Sequence, residues 1–119
     1  MKKRFNTKVI HSGHGTDKET GGVMPPIHLS TTFKQNEPGE FKYEYARTKN
    51  PSRDVLEKLL AELESGEQAF AFASGMAAIN TVCDIFGSDY HIICSDDVYG
   101  GTRRLFDKVK SNIDVTYID

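Results

Sequence analysis

The chain has 119 residues, 38% hydrophobic and 27% charged, the profile of one globular domain with a modest core rather than a disordered segment. Its formal net charge of −2 offers no basic field to nucleic acid or to an anionic membrane surface. The basic start Met1-Lys2-Lys3-Arg4 lacks the apolar run of a secretory signal and no stretch approaches membrane-spanning length, so a cytoplasmic protein without nucleic-acid or membrane partners is expected.

Residues 1–50 are irregular. Gly13, Gly15, Gly21, Gly22, Pro25, Pro26, Pro38 and Gly39 interrupt any long element, and only Phe5 to Ile10 suits a short helix or strand. The segment still carries Ile27, Leu29, Phe33, Phe41, Tyr43 and Tyr45, which suggests an arm (1–50) packed on a neighbouring subunit, with a loosely ordered terminus as the alternative. His11 and His14 are three apart without a third ligand nearby, so no metal site is expected. Ser30-Thr31-Thr32 has no histidine or acidic partner close in sequence to activate it as a nucleophile.

Asn50 is a good N-cap and Pro51 suits the first helical position. Val55, Leu56, Leu59, Leu60 and Leu63 then form one apolar stripe, which predicts a helix over 51–64 with the stripe as core and Gly66 as terminator. Just before it, Tyr45 and Arg47 fall on one side of an extended segment, where a phenol and a guanidinium can donate together to a phosphate or carboxylate. A surface cation beside a packed aromatic would look the same.

Phe70-Ala71-Phe72-Ala73-Ser74-Gly75-Met76-Ala77-Ala78 reads as a strand buried on both faces, a tight turn, and a helix running to about Phe86 and stopping at Gly87. The start of that helix presents unpaired N–H groups and a positive dipole end, a cup for an anion; an ordinary strand-to-helix connection has the same sequence features. His91-Ile92-Ile93-Cys94 reads as a second strand and Ser95 to Thr102 as a turn-rich loop. A helix over 102–110 follows, with Leu105, Phe106 and Val109 inward, and then a strand over 113–118. Cys83 and Cys94 are expected to be reduced core thiols. The order β-α-β-α-β predicts an α/β fold with a parallel sheet. Ser74-Gly75-Met76 and Tyr99-Gly100-Gly101 would then lie together beyond the carboxyl ends of its strands. No G-x-G-x-x-G or Walker motif supports a nucleotide. Pyridoxal phosphate has both the phosphate and the planar ring that such a crevice suits, but the residues alone do not single it out.

Four segments resemble one family in the family's own order: Val23-Met24-Pro25-Pro26-Ile27-His28-Leu29-Ser30-Thr31-Thr32-Phe33, Tyr45-Ala46-Arg47-Thr48-Lys49-Asn50-Pro51-Ser52-Arg53, Ala71-Phe72-Ala73-Ser74-Gly75-Met76-Ala77-Ala78 and Asp96-Asp97-Val98-Tyr99-Gly100-Gly101-Thr102. The chain resembles the N-terminal third of the cystathionine γ-lyase and γ-synthase family of pyridoxal-phosphate enzymes. The resemblance implies the start of a mostly parallel, doubly wound sheet of pyridoxal-phosphate fold-type I, truncated here, with an arm over 1–50 and the first part of the cofactor domain over 51–119. It also implies that Gly75 and Met76 offer N–H groups to the cofactor phosphate and that Tyr45 and Arg47 reach it from a neighbouring subunit. Tyr99 would stack on the pyridine ring near the substrate amine and act in catalysis, while Arg47, Tyr99 and Arg104 would face the substrate. Ala46 stands where the family's Tyr-Ser-Arg motif has serine, which leaves both phosphate donors in place. The implied activity is γ-elimination from cystathionine or a related sulfur amino acid by a homotetramer whose dimers share active sites. γ-Replacement and methionine or homocysteine γ-lyase activity are the alternatives. The Schiff-base lysine, the aspartate that pairs the pyridine nitrogen and a C-terminal domain have no counterpart in these 119 residues, so the isolated chain is expected to be a non-catalytic fragment.

Overall fold

The structure, a computed structural model, describes residues 4–86 and 89–119; the expected helix stop at Gly87 and the basic start at Met1-Lys2-Lys3 lie outside the described residues. In chain order the elements are α1 (Phe5–His11), α2 (Pro51–Glu64), α3 (Gly75–Ile85), β1 (His91–Ser95), α4 (Gly100–Arg104, continued by a π-helical stretch over Leu105–Val109) and β2 (Asp114–Ile118). They form two compact units, the first ending at Ala71 and the second beginning at Phe72.

In the first unit, α2 has the expected bounds. The Asn50 side chain accepts the Ser52 N–H at 2.8 Å, and Pro51 occupies the first turn, where a missing N–H costs nothing. The helix is closed by Ser65, which takes the left-handed conformation at φ 58°, rather than by Gly66, whose N–H donates to the Ala61 carbonyl at 2.9 Å. The stripe on α2 is not the core it was expected to be: Leu56 and Leu60 are exposed, and Ala61 is the buried residue of the helix. A stripe becomes core only when a second layer covers it, and the two-turn helix α1 covers a small part.

The irregular segment before α2 is anchored on that helix by polar contacts, which the sequence did not predict. Ser12 is buried, with its hydroxyl donating to the Glu62 carboxylate at 2.5 Å, and Lys8 donates to the Glu62 carbonyl at 2.8 Å. The His28 N–H donates to Ser52 Oγ at 2.9 Å, and the Tyr43 hydroxyl donates to Asp54 at 2.9 Å. An antiparallel bridge between Thr32 and Tyr45 closes the loop between them, with Phe33 and Ala46 amides donating to the Glu44 and Thr31 carbonyls. Several apolar side chains of the segment stay uncovered: Val23, Met24, Ile27 and Leu29 are 63–88% exposed.

In the second unit, β1 and β2 pair in parallel, His91 opposite Asp114 through Ser95 opposite Ile118. This confirms the α/β class and the parallel pairing. Period-2 alternation sends Ile92, Cys94, Val115 and Tyr117 to one face, where they meet the buried cluster of Cys83, Phe106 and Ile113 with Ile79. The other face is uncovered: Ile93 and Ile118 point outward and are exposed, although a buried strand was expected over 91–94. The predicted strand at Phe70–Ala73 does not form: a strand exists through its ladder, and no described segment pairs with this one. Phe70 and Phe72 are accordingly exposed, and the Ala71 N–H turns to the Glu57 carboxylate at 2.9 Å.

The helix after β1 starts two residues before the expected Thr102, and its second half is wider, with the Lys110 N–H donating to the Leu105 carbonyl at 2.8 Å. That wider turn keeps Leu105 and Phe106 buried but carries Val109, expected inward, out to solvent at 71% exposure. Both cysteines are free; burial pushes the Cys83 thiol above its ordinary range.

Candidate functional site

The two loops expected to converge do so within the second unit. Ser74 ends the extended run and caps α3, its Oγ accepting the Ala77 N–H at 3.1 Å. This leaves the first-turn N–H groups of Gly75 and Met76, which a helix cannot satisfy internally, available to a ligand. No acidic side chain lies in that turn, so the positive end of the helix dipole is unopposed. A Cβ placed on Gly75 would meet nothing within 4 Å, so the space beside its Cα is open.

The second loop enters α4 through Tyr99, whose carbonyl accepts the Thr102 N–H at 2.8 Å. Thr102 is buried, and its Oγ1 stands 3.9 Å from the Met76 sulfur. A Cβ built on Gly101 would lie 3.1 Å from that sulfur and 2.5 and 3.0 Å from Cε1 and Cδ1 of Tyr99. The Tyr99 ring, the Gly101 backbone and the Met76 side chain therefore meet at one point beside the start of α3. The ring itself is 71% exposed, which leaves room for a planar group against it.

The adjacent arginines on α4 diverge. Arg103 stacks on the Tyr117 ring, with 3.6 Å from Cζ to the centroid, and pairs with Asp107 at 3.1 Å. Arg104 folds toward the loop, and its Nη1 would sit 3.6 Å from a Cβ on Gly100. Arg104 is thus the cation placed beside the Tyr99 loop, and Arg103 is engaged in packing.

Tyr45 and Arg47 belong to the first unit and are brought together there, with the guanidinium carbon 5.1 Å from the ring centroid of Tyr45. They do not lie along an extended segment, as alternation suggested, because residues 46–48 form a turn in which the Thr48 and Lys49 amides both donate to the Tyr45 carbonyl at 3.0 Å. Arg53, to which no role was assigned from the residue pattern, secures this turn. Its Nη1 donates to the Ala46 and Arg47 carbonyls at 3.4 and 3.3 Å, and its Nη2 donates to the Thr48 carbonyl at 2.5 Å. The available signal was its position in the first turn of α2, one helix entry away from the carbonyls it reaches. His11 ends α1, and the His14 Nε2–H donates to the Ile10 carbonyl at 3.2 Å; among the described residues no three metal-ligating side chains cluster.

Residues 6–119 match the model of a family described as Cys/Met metabolism PLP-dependent enzyme. Over 114 residues, 95% of its length, the chain is 54% identical to a cystathionine beta-lyase of Lactococcus lactis subsp. cremoris (strain MG1363), covering 30% of that protein. It is 48% identical over 122 residues to a cystathionine gamma-lyase of Bacillus subtilis (strain 168), covering 32% of it. The solved structure of cystathionine gamma-lyase from Lactobacillus plantarum complexed with L-serine superimposes with a TM-score of 0.88 at 47% identity, over 98% of this chain and 31% of that one. The chain thus spans about a third of the length of the curated relatives it matches. The start of α3 at Gly75 and Met76, with open space beside Gly75, and the exposed ring of Tyr99 next to Met76 fit a cofactor with a phosphate and a planar ring.

Proposed function

The chain belongs to the Cys/Met metabolism PLP-dependent enzyme family, and from that premise we propose that the protein carrying it cleaves a carbon–sulfur bond of cystathionine or a related amino acid, by γ-elimination in the first instance. The observation that carries this reading is the meeting of Tyr99, Gly101 and Met76 beside the helix start. Pyridoxal phosphate, when bound, supplies an electron sink that the side chains of the twenty amino acids lack. The Gly75 and Met76 amides hold its phosphate at the positive end of α3. Tyr99 would orient the ring by stacking, and its hydroxyl would exchange a proton with the substrate amine. Tyr45 and Arg47 add a phenol and a guanidinium to the phosphate from a second copy of the chain, with Arg53 holding the turn that carries them. Arg47 and Arg104 offer cationic groups to the substrate side. The uncovered apolar side chains of the arm support its seating on another subunit, in the tetramer built of paired dimers expected from the resemblance.

A second reading, β-elimination, is favoured by the identity with the lactococcal cystathionine beta-lyase. One assay separates the two. Full-length protein supplied with cystathionine is expected to release cysteine, 2-oxobutanoate and ammonia by the γ route; homocysteine, pyruvate and ammonia would mark the β route. Net synthesis of cystathionine from an activated homoserine ester and cysteine would mark replacement instead. If no sulfur amino acid yields an oxo acid and no cystathionine is made, the proposal fails.

A further inference from the structure

The contact around Gly101 assigns work to a residue without a side chain. An added Cβ at Gly101 would stand 2.5 Å from Tyr99 Cε1, closer than non-bonded carbon atoms approach, with Cδ1 at 3.0 Å and the Met76 sulfur at 3.1 Å as further tight contacts. Its neighbour Gly100 is not crowded in this way: the nearest atom to a Cβ there is Arg104 Nη1 at 3.6 Å, an ordinary contact. Gly75, on the other loop, would meet nothing. Of the three glycines on the two loops, Gly101 alone lies where the ring packs onto the backbone.

The conformational freedom of glycine does not account for this. Gly101 sits within helix α4, and it is not among the glycines with positive φ. In a helix, glycine is disfavoured relative to alanine by about 1 kcal/mol. An alanine would therefore suit the backbone better, and what it would lack is the space filled by the ring. Because Tyr99 is 71% exposed, a displaced ring can swing into solvent at little cost to folding. The loss then falls on where the ring points.

The geometry points to Gly101 as a positioning residue: by having no side chain it lets the Tyr99 ring lie against the backbone of α4 and beside Met76, and so sets the ring's orientation over the helix start that receives the cofactor phosphate. Met76 is the second wall of the seat, with its sulfur held next to the buried Thr102 hydroxyl at 3.9 Å. The inference rests on Tyr99 being the aromatic partner of the cofactor, and the test separates failure of that premise from failure of the inference itself.

Full-length protein would be prepared as wild type, Gly101→Ala, Tyr99→Ala and the double variant. Each would be examined without cofactor, by the methyl resonance of Met76 in methyl-labelled methionine protein, and with cofactor, by pyridoxal-phosphate affinity, the visible circular dichroism of the bound cofactor, and kcat and KM. Gly101→Ala is expected to keep the wild-type melting temperature within a few degrees. It should shift the Met76 methyl resonance as Tyr99→Ala does, alter the cofactor dichroism and lower kcat at least tenfold. In the Tyr99→Ala background the same substitution should add less than twofold, since its effect runs through the ring. Additive losses, or a Gly101→Ala protein with wild-type dichroism and kcat alongside an impaired Tyr99→Ala, overturn the inference. An unimpaired Tyr99→Ala overturns the premise, and with it the inference. Should Gly101→Ala fail to fold, the double variant decides. Its folding would locate the clash in the ring, as the inference requires, and its failure would locate the clash in the backbone and overturn the inference.

Discussion

At the scale of single residues, polar side chains decide how the segment before α2 is held. Tyr43 shows this: its hydroxyl donates to Asp54 at 2.9 Å, and its ring lies 5.5 Å from that of Phe33. Burial, then the hydrogen bond and charge of Asp54, hold its phenol above the ordinary value of 10.0. The protonated phenol is thus favoured in the fold, so its contribution to stability is whole below pH 10 and is lost as pH rises through the raised value. Tyr43→Phe is expected to flatten the alkaline limb of unfolding free energy against pH and to cost about 1 kcal/mol at neutral pH by removing the donor to Asp54. Urea titrations between pH 8 and about 11 would check both, and an unchanged alkaline slope would assign the titration to another group, such as Tyr117, whose phenol is also raised. Gly13 is constrained differently, having both a φ of +80° and no room for a side chain.

At the scale of elements, that constraint is what lets the turn after α1 lie against α2. A Cβ on Gly13 would stand 2.6 Å from the Val55 carbonyl oxygen and 2.8 Å from the Leu59 amide nitrogen, both backbone atoms that cannot swing aside. Gly13→Ala combines left-handed strain with this clash and is expected to destabilise the first unit by roughly 2–4 kcal/mol. Thermal melts of the variant would read this as a lowered midpoint, whereas Gly15→Ala, where a Cβ meets nothing within 4 Å, should melt close to wild type. The elements of both units were legible from sequence where a local signal stood alone: Asn50-Pro51 for the start of α2, Ser74-Gly75 for α3, and the β-branched runs for β1 and β2. They were misread where the outcome depended on a neighbour, as with the unpaired run Phe70–Ala73 and the π-helical turn that moves Val109 outward.

At the scale of the whole molecule, apolar surface outweighs apolar core. Among the described residues the buried hydrophobics are Ala61, Cys83, Leu105, Phe106 and Ile113, while Ile27, Leu29, Phe70, Ile85, Ile93 and Val109 are each more than 65% exposed. So small a core offsets little of the entropy of ordering a chain of this length. The isolated 119-residue chain is therefore expected to self-associate and to bind a hydrophobic dye strongly, and to show no turnover of cystathionine with added pyridoxal phosphate. Sedimentation and dye fluorescence would check the first two. A monodisperse monomer without dye binding would show that the exposed side chains need no cover.

The sequence by itself determined the α/β class, the parallel strand pair, the bounds of α2 and the two loops that build the candidate cradle. Each of these follows from short-range chemistry: capping, period-2 and helical spacing, and turn residues. The tertiary structure alone decided that the segment before α2 is held by Ser12, His28 and Tyr43, that Arg53 fastens the turn bearing Tyr45 and Arg47, and that Gly101 leaves the space in which Tyr99 lies. Those contacts join residues that the backbone path brings together, and no local pattern encodes the path.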